Sequence, residues 1–150
     1  GYGQRSDAAA RALVEETFGV ETLALELADP RFYHMDTALC PLPRGEVLYV
    51  PQAFTRAGLA QIADRVAPAD RIAVAPDDAE RLSANAVALR NSVIMSACSD
   101  RLRGQLTERG YQVLTIPLDA FLRGGGSAFC LTLRLDRSSA KASAQQSAVA

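Results

Sequence analysis

Apolar and polar positions along the chain switch between a helical and a two-residue period, and the switches mark out the elements. Residues 6–18 carry Ala9, Leu13, Val14 and Phe18 at helical spacing, with Ser6 or Asp7 at the start and Gly19 as a stop, so a helix is expected there. Val20–Leu27 reads as a strand. Asp29-Pro30 ends it, Arg31–Leu39 reads as a second strand, Pro41–Gly45 as a turn, and Glu46–Val50 as a third strand that completes a hairpin. Leu59, Ile62, Ala63 and Val66 predict an amphipathic helix from Thr55, and the apolar run at 71–76 predicts the strand after it. Asp77 or Asp78 opens a short helix to Leu82. Asn85–Leu89 and Ser92–Ser96 flank Arg90-Asn91 as a second candidate hairpin. A helix over 99–109 carries Leu102 and Leu106 and closes at Gly110, Tyr111–Ile116 forms a strand, and Phe129–Leu135 reads as a last one.

The recurring order is two strands, a helix and a further strand, once over 31–76 and again over 85–116. Strict strand-helix alternation would favour a doubly wound parallel sheet, but the hairpins favour small mixed α/β modules. Gly124–Gly126 does not make a dinucleotide fingerprint, because it precedes an expected strand and does not link a strand to a helix.

Composition narrows the class. The chain has 150 residues, 49% apolar and 22% charged, enough for one globular domain with a core. Its formal net charge of −1 and the lack of a basic run with interleaved aromatics disfavour a nucleic-acid partner. No apolar stretch reaches the ~18 residues of a membrane span and no secretory pattern opens the chain, so a cytoplasmic protein without a membrane partner is expected. Cys40, Cys98 and Cys130 lie far apart without a CxxC, which indicates neither a disulfide framework nor a zinc site; no metal and no cofactor is implied. Residues 138–150 are rich in Ser, Ala and Gln and are expected to be disordered. The start at Gly1 is compatible with a fragment or with a processed terminus.

Two segments carry candidate chemistry. In the expected strand at 129–135, alternation places Cys130 with Thr132 and Arg134, opposite Leu131, Leu133 and Leu135. That polar-face cysteine is open to two readings, a packing residue or a nucleophile beside a glycine-rich loop. Period two likewise puts His34 and Asp36 on one face, where they either point into a shared cavity or decorate a surface hairpin. His34 is the single histidine, so any imidazole chemistry in this chain falls to it.

Taken together, His34-Met35-Asp36-Thr37, Cys40-Pro41-Leu42, Ser83–Leu89, Gly110–Phe121 and Gly125–Leu133 resemble the C-terminal half of the guanidine-modifying, or pentein, superfamily. That superfamily includes arginine deiminases, arginine dihydrolases, dimethylarginine dimethylaminohydrolases and amidinotransferases. The opening Gly1–Asp7 is similar to its G-x-G-x-R-[ST] segment. The resemblance implies an α/β propeller of five ββαβ modules, of which residues 1–137 would form about half. It implies Cys130 as nucleophile, His34 as general acid and base, Asp36 as the carboxylate that grips the guanidinium, and Arg5 as an aid to holding the substrate's carboxylate. The expected activity is hydrolysis of a guanidino substrate such as arginine or a methylated arginine through a covalent amidino-thioether on Cys130. The family's acidic F-E-G-x-D segment is absent, which implies a missing N-terminal half or another polypeptide to complete the fold; an N-terminal half or a homo-oligomer is the expected protein partner. Glu15, Glu16, Glu46 and Asp119 match no such motif and read as solvated charges. Asp36 favours the deiminase, dihydrolase and amidinotransferase branches, with hydrolysis ahead of transfer. Competing readings are a non-catalytic fragment or interaction module of the same fold, an amidinotransferase, and a thiol protease or redox protein. The last pair lacks a readable oxyanion hole and a resolving cysteine. Cys40 is expected to pack near the His34 strand, Cys98 to open or precede a helix, and Asn85 to serve a turn or bind backbone, ahead of a substrate contact.

Overall fold

The structure, a computed structural model, describes residues 1–133 and 135. Helix α1 spans Ala10–Phe18 and stops at Gly19, whose φ of 62° is a left-handed conformation that closes the helix by donating to the Glu15 carbonyl. A one-turn helix α2 (Met35–Ala38) leads into strand β1 (Leu39–Pro41), which pairs antiparallel with β2 (Val47–Tyr49). Helix α3 (Arg56–Arg65) starts at Thr55, whose hydroxyl accepts from the Gly58 amide, and returns the chain to β3 (Arg71–Ala73), parallel to β2. Helix α4 (Pro76–Glu80) connects to a second unit, in which β4 (Val87–Leu89) pairs antiparallel with β5 (Ser92–Met95). Helix α5 (Asp100–Glu108), capped by Ser99 on the Leu102 amide, delivers β6 (Gln112–Thr115) parallel to β5. Helix α6 (Asp119–Leu122) and a 3-10 turn at Phe129–Leu131 follow.

The two three-stranded sheets have the same order, β1-β2-β3 and β4-β5-β6, each with one antiparallel and one parallel pair. These are the ββαβ modules that the hydrophobic pattern predicts. Residues 1–27 repeat the second half of the unit in outline: Tyr2 and Glu26 form a parallel bridge with α1 between them, and their offset equals that between Val47 and Arg71 in β2 and β3. One apolar core runs through both complete units. Leu48, Val50 and Ile72 contribute from the first, Val93, Met95, Leu102 and Leu106 from the second, and Ala84, Ala86 and Cys40 lie between them. The Cys40 thiol donates to the Ala86 carbonyl at 3.4 Å, tying β1 to the segment that enters β4. None of the residues of α1 is buried, and Leu13 and Phe18 are exposed.

Four expectations need correction. The strand expected at 31–39 is a turn followed by α2. The Asp29 side chain and carbonyl take the Arg31 and Phe32 amides, and the His34 carbonyl takes both the amide and the hydroxyl of Thr37, so hydroxyl and carboxylate groups capture the backbone that a ladder would need. The strand expected at 129–135 is replaced by the 3-10 turn, held by Asn85 as described below, and Leu131, Leu133 and Leu135 are exposed. The strand expected at 20–27 is reduced to the bridges of Glu26 and Leu27. Glu46 is buried and accepts the Tyr111 hydroxyl at 2.6 Å, so it is a structural acid and not a solvated charge. Arg134 and the tail at 138–150 lie outside the described residues.

Candidate active site

The site sits where the connections into β1 and β4 meet the turn after α6. Asp36 lies in the first turn of α2, half-buried, and its Oδ2 is 3.1 Å from Cys130 Sγ. Two side chains far apart in sequence are thus in direct contact. The juxtaposition does not come from strand alternation, since neither segment is a strand.

Asn85 brings them together. Its side chain is fully buried, and its Nδ2 donates to the Asp36 carbonyl and to Asp36 Oδ2, both at 3.0 Å, and to Cys130 Sγ at 3.2 Å. Its Oδ1 accepts the Ser127 amide at 2.9 Å and the Cys130 amide at 3.3 Å, and its own carbonyl accepts the Phe129 amide. The glycines complete the fit. Gly125 has φ of 86° and a Cβ there would come within 3.0 Å of the Tyr33 ring; a Cβ on Gly126 would come within 3.1 Å of Cys130 Cβ.

His34 and Arg5 are arranged around Tyr33. The His34 ring is exposed and packs against the Tyr33 ring with centroids 4.8 Å apart, and no hydrogen bond joins it to Cys130 or Asp36 among the described residues. The Arg5 guanidinium lies over the same tyrosine, 5.1 Å from its centroid. The Tyr33 hydroxyl donates to the Gly125 carbonyl at 2.9 Å, connecting both residues to the loop that carries Cys130. Cys130 and Asp36 therefore meet directly, whereas His34 and Arg5 reach the site through Tyr33. Tyr33 is the residue that a reading of the sequence does not pick out, and Asn85, expected to serve a turn or bind backbone, binds the Ser127, Cys130 and Asp36 backbone and in addition both site side chains.

The surroundings of the sulfur favour a neutral thiol. Burial raises the Cys130 pKa, the Asp36 carboxylate that accepts its proton raises it further, and the Asn85 amide works in the opposite direction. Cys40 and Cys98 are pushed up to about 11 by burial, so neither is poised to react. Beside Asp36 opens a cavity of about 320 Å³ walled by Met35, Leu39, Cys40, Ala86 and Phe129, among others, in which Asp36 is the one charged lining residue. A fixed negative charge in an apolar wall suits a flat organic cation with N–H donors. Among the described residues no cluster of three or more His, Cys, Asp or Glu side chains could hold a metal, and no helix is long and apolar enough to cross a membrane.

No protein-family model matches the chain. It is 46% identical over 135 residues to the bifunctional arginine dihydrolase/ornithine cyclodeaminase AgrE of Nostoc, covering 90% of this chain and 19% of the relative. It is 37% identical over 135 residues to the N(G),N(G)-dimethylarginine dimethylaminohydrolase of Mycobacterium tuberculosis, covering 90% of this chain and 44% of the relative. The chain thus spans less than half the length of these curated relatives. Among solved structures, it superposes with a TM-score of 0.89 and 40% identity on the N-terminal domain of ArgZ from Synechocystis covalently bound to a reaction intermediate, covering 91% of this chain and 50% of that one.

Proposed function

We propose, for a chain that belongs to the guanidine-modifying, or pentein, superfamily, that the whole protein hydrolyses a C–N bond of a guanidino substrate, with arginine or a methylated arginine as the substrate class. The observation that carries this reading is the contact of Cys130 Sγ with Asp36 Oδ2 at the edge of an otherwise apolar cavity. A guanidinium carbon is a weak electrophile, because its charge is spread over three nitrogens, so the reaction needs a thiolate beside an anion that holds the cation in place. Asp36 offers two oxygens for two parallel N–H donors of the guanidinium. Such a ligand neutralises the carboxylate that opposes ionisation of Cys130, so substrate binding and thiolate formation are coupled.

The chemistry then follows in two stages. The Cys130 thiolate bonds to the guanidinium carbon, the bond to the departing nitrogen breaks, and that nitrogen leaves as ammonia or an amine after taking a proton. Water next bonds to the carbon of the amidino-thioether, the C–S bond breaks, and the thiolate is restored with loss of one proton to a base. His34 is assigned both proton transfers, since it is the chain's single imidazole and stands two residues from Asp36. From its place over Tyr33, beside the Cys130 loop, Arg5 is assigned the substrate's carboxylate. The acidic residues that would orient His34 are assigned to a part of the protein beyond this chain.

The test uses the full-length polypeptide with arginine and dimethylarginine, and measures ammonia and dimethylamine release. Turnover of either that disappears in Cys130→Ser is the expected result, and the amine released identifies the preferred substrate. Turnover retained in Cys130→Ser would overturn the assignment.

A further inference from the structure

The mechanism above uses Cys130, His34, Asp36 and Arg5, and leaves Asn85 without a part, although it is fully buried and touches two of them. A side-chain amide has two donor hydrogens and one acceptor oxygen, and here both ends are occupied. The oxygen faces two backbone N–H groups, of Ser127 and Cys130, and the nitrogen faces three acceptors, the carbonyl and carboxylate of Asp36 and the sulfur of Cys130. The reversed amide would put its NH₂ against two donors and its oxygen against a carboxylate, so the surroundings permit one orientation.

We infer that Asn85 is a positioning residue that clamps the Cys130 turn to the Asp36 carboxylate and supplies an N–H to the sulfur as its negative charge forms. The inference rests on the proposed hydrolase reading, in which Cys130 is the nucleophile and Asp36 the guanidinium ligand. An asparagine serving only to close a turn would need the Ser127 and Phe129 bonds and nothing on the sulfur side. Here the same Nδ2 meets both reacting partners, so the separation of carboxylate and sulfur is set by one rigid group. When the guanidinium occupies the Asp36 carboxylate, the two N–H groups that three acceptors share are left to the Asp36 carbonyl and to the sulfur, where a charged acceptor makes the stronger bond. The groups that face the sulfur are few. Among the described residues Asp36 is the titratable one, from α2; Asn85 is neutral, from the segment before β4; and the Cys130 loop adds the Ser127 backbone and Gly126.

The test is the pH dependence of Cys130 alkylation by iodoacetamide in the full-length polypeptide, combined with steady-state turnover. Asn85→Ala removes the donor, and Asn85→Asp keeps the shape and the acceptor oxygen but replaces the donor by a second carboxylate oxygen. The alkylation midpoint should rise by about one pH unit in Asn85→Ala and by more in Asn85→Asp. In both, kcat should fall about tenfold or more, with a smaller change in KM, since alignment is lost while Asp36 remains. A residue needed only for folding would lower the melting temperature and leave the midpoint where it is. If Asn85→Asp does not fold, Asn85→Ala carries the same test. Turnover by the unmodified protein with unmoved midpoints overturns this inference alone. Moved midpoints without any turnover by the unmodified protein overturn the hydrolase reading and support the clamp.

Discussion

Replacing Asp36 by Asn should make Cys130 more acidic and, on the proposed hydrolase reading, the full-length protein less active, and this opposition separates the two roles of the carboxylate. The Cys130 thiol donates to Asp36 Oδ2 at 3.1 Å, so ionisation both breaks a charge-assisted hydrogen bond and creates two adjacent anions. A hydrogen bond to an ionised group contributes about 1.5–3 kcal/mol, and about 1.4 kcal/mol corresponds to one pH unit. Cys130 is exposed, so solvent screening places the effect at the lower end, a fall of about one unit. Burial is the larger cause of the raised value and is untouched by the substitution, so the midpoint should stay above the usual thiol range. Iodoacetamide alkylation between pH 6 and about 11, followed on the Cys130 peptide by mass spectrometry, reads this directly and separates it from Cys40 and Cys98, which burial pushes up to about 11. Turnover of arginine should fall at least a hundredfold in the same variant, in spite of the larger thiolate fraction, because the guanidinium loses its counter-ion. An unchanged or higher alkylation midpoint in Asp36→Asn would refute the account of the site's electrostatics.

Three other outcomes follow from the structure. Tyr111→Phe leaves the buried Glu46 carboxylate without its 2.6 Å hydroxyl donor and should lower stability by about 1–3 kcal/mol in urea unfolding, with Glu46→Gln in the same background recovering part of the loss. Burial raises the folded-state pKa of Cys40 from 9.0 to about 11, so the unfolded chain releases its proton first; the stability this confers is complete below about pH 9 and is lost as the pH climbs toward 11, and the loss should be smaller in Cys40→Ala. Gly126→Ala places a Cβ 3.1 Å from Cys130 Cβ and should reduce kcat about tenfold with little change in the melting temperature, because the displaced group is the turn that carries the sulfur.

The elements legible in the sequence are those whose signals are local. Thr55 and Ser99 announce α3 and α5 and cap them by accepting amides three residues on. Arg90-Asn91 turns β4 into β5 with Leu89 paired to Ser92, although Arg90 alone takes a positive φ, of 51°. Two of the segments expected as strands, 31–39 and 129–135, share one cause, a polar side chain that takes the backbone hydrogen bonds. Thr37 does this locally for α2, and Asn85 does it for the Cys130 turn from 45 residues away, where no local window can register it. The burial of Glu46 also escapes a local window, since its side-chain partner Tyr111 belongs to the other unit. Cys130 and Asp36 stand out in the sequence through composition and resemblance, which, unlike strand periodicity, do not depend on backbone conformation, and the fold brings the two side chains into contact.

The repeated unit explains why residues so far apart in sequence converge. Each polar residue of the Cys130 contact stands at an equivalent step of the chain, in the connection that follows an outer parallel strand. Asp36 follows the bridged residues at Glu26 and Leu27 and precedes β1; Asn85 follows β3 and α4 and precedes β4; Cys130 follows β6 and α6. The separations of 49 residues from Asp36 to Asn85 and 45 from Asn85 to Cys130 are each about one unit. Successive units pack side by side through β1 and β4, with Cys40 bonded to the Ala86 carbonyl, so the ends of their incoming connections lie together. One unit supplies the carboxylate, the next the amide, and the following connection the sulfur. A change of length within α3 or α5 should therefore be better tolerated than one in the connections at 28–38, 74–86 or 116–128, because only the connections set how the three groups meet. The repeat also supplies the signal that local reading lacks: once two units have been recognised, polar residues one unit apart in their connections are the candidates for a shared site.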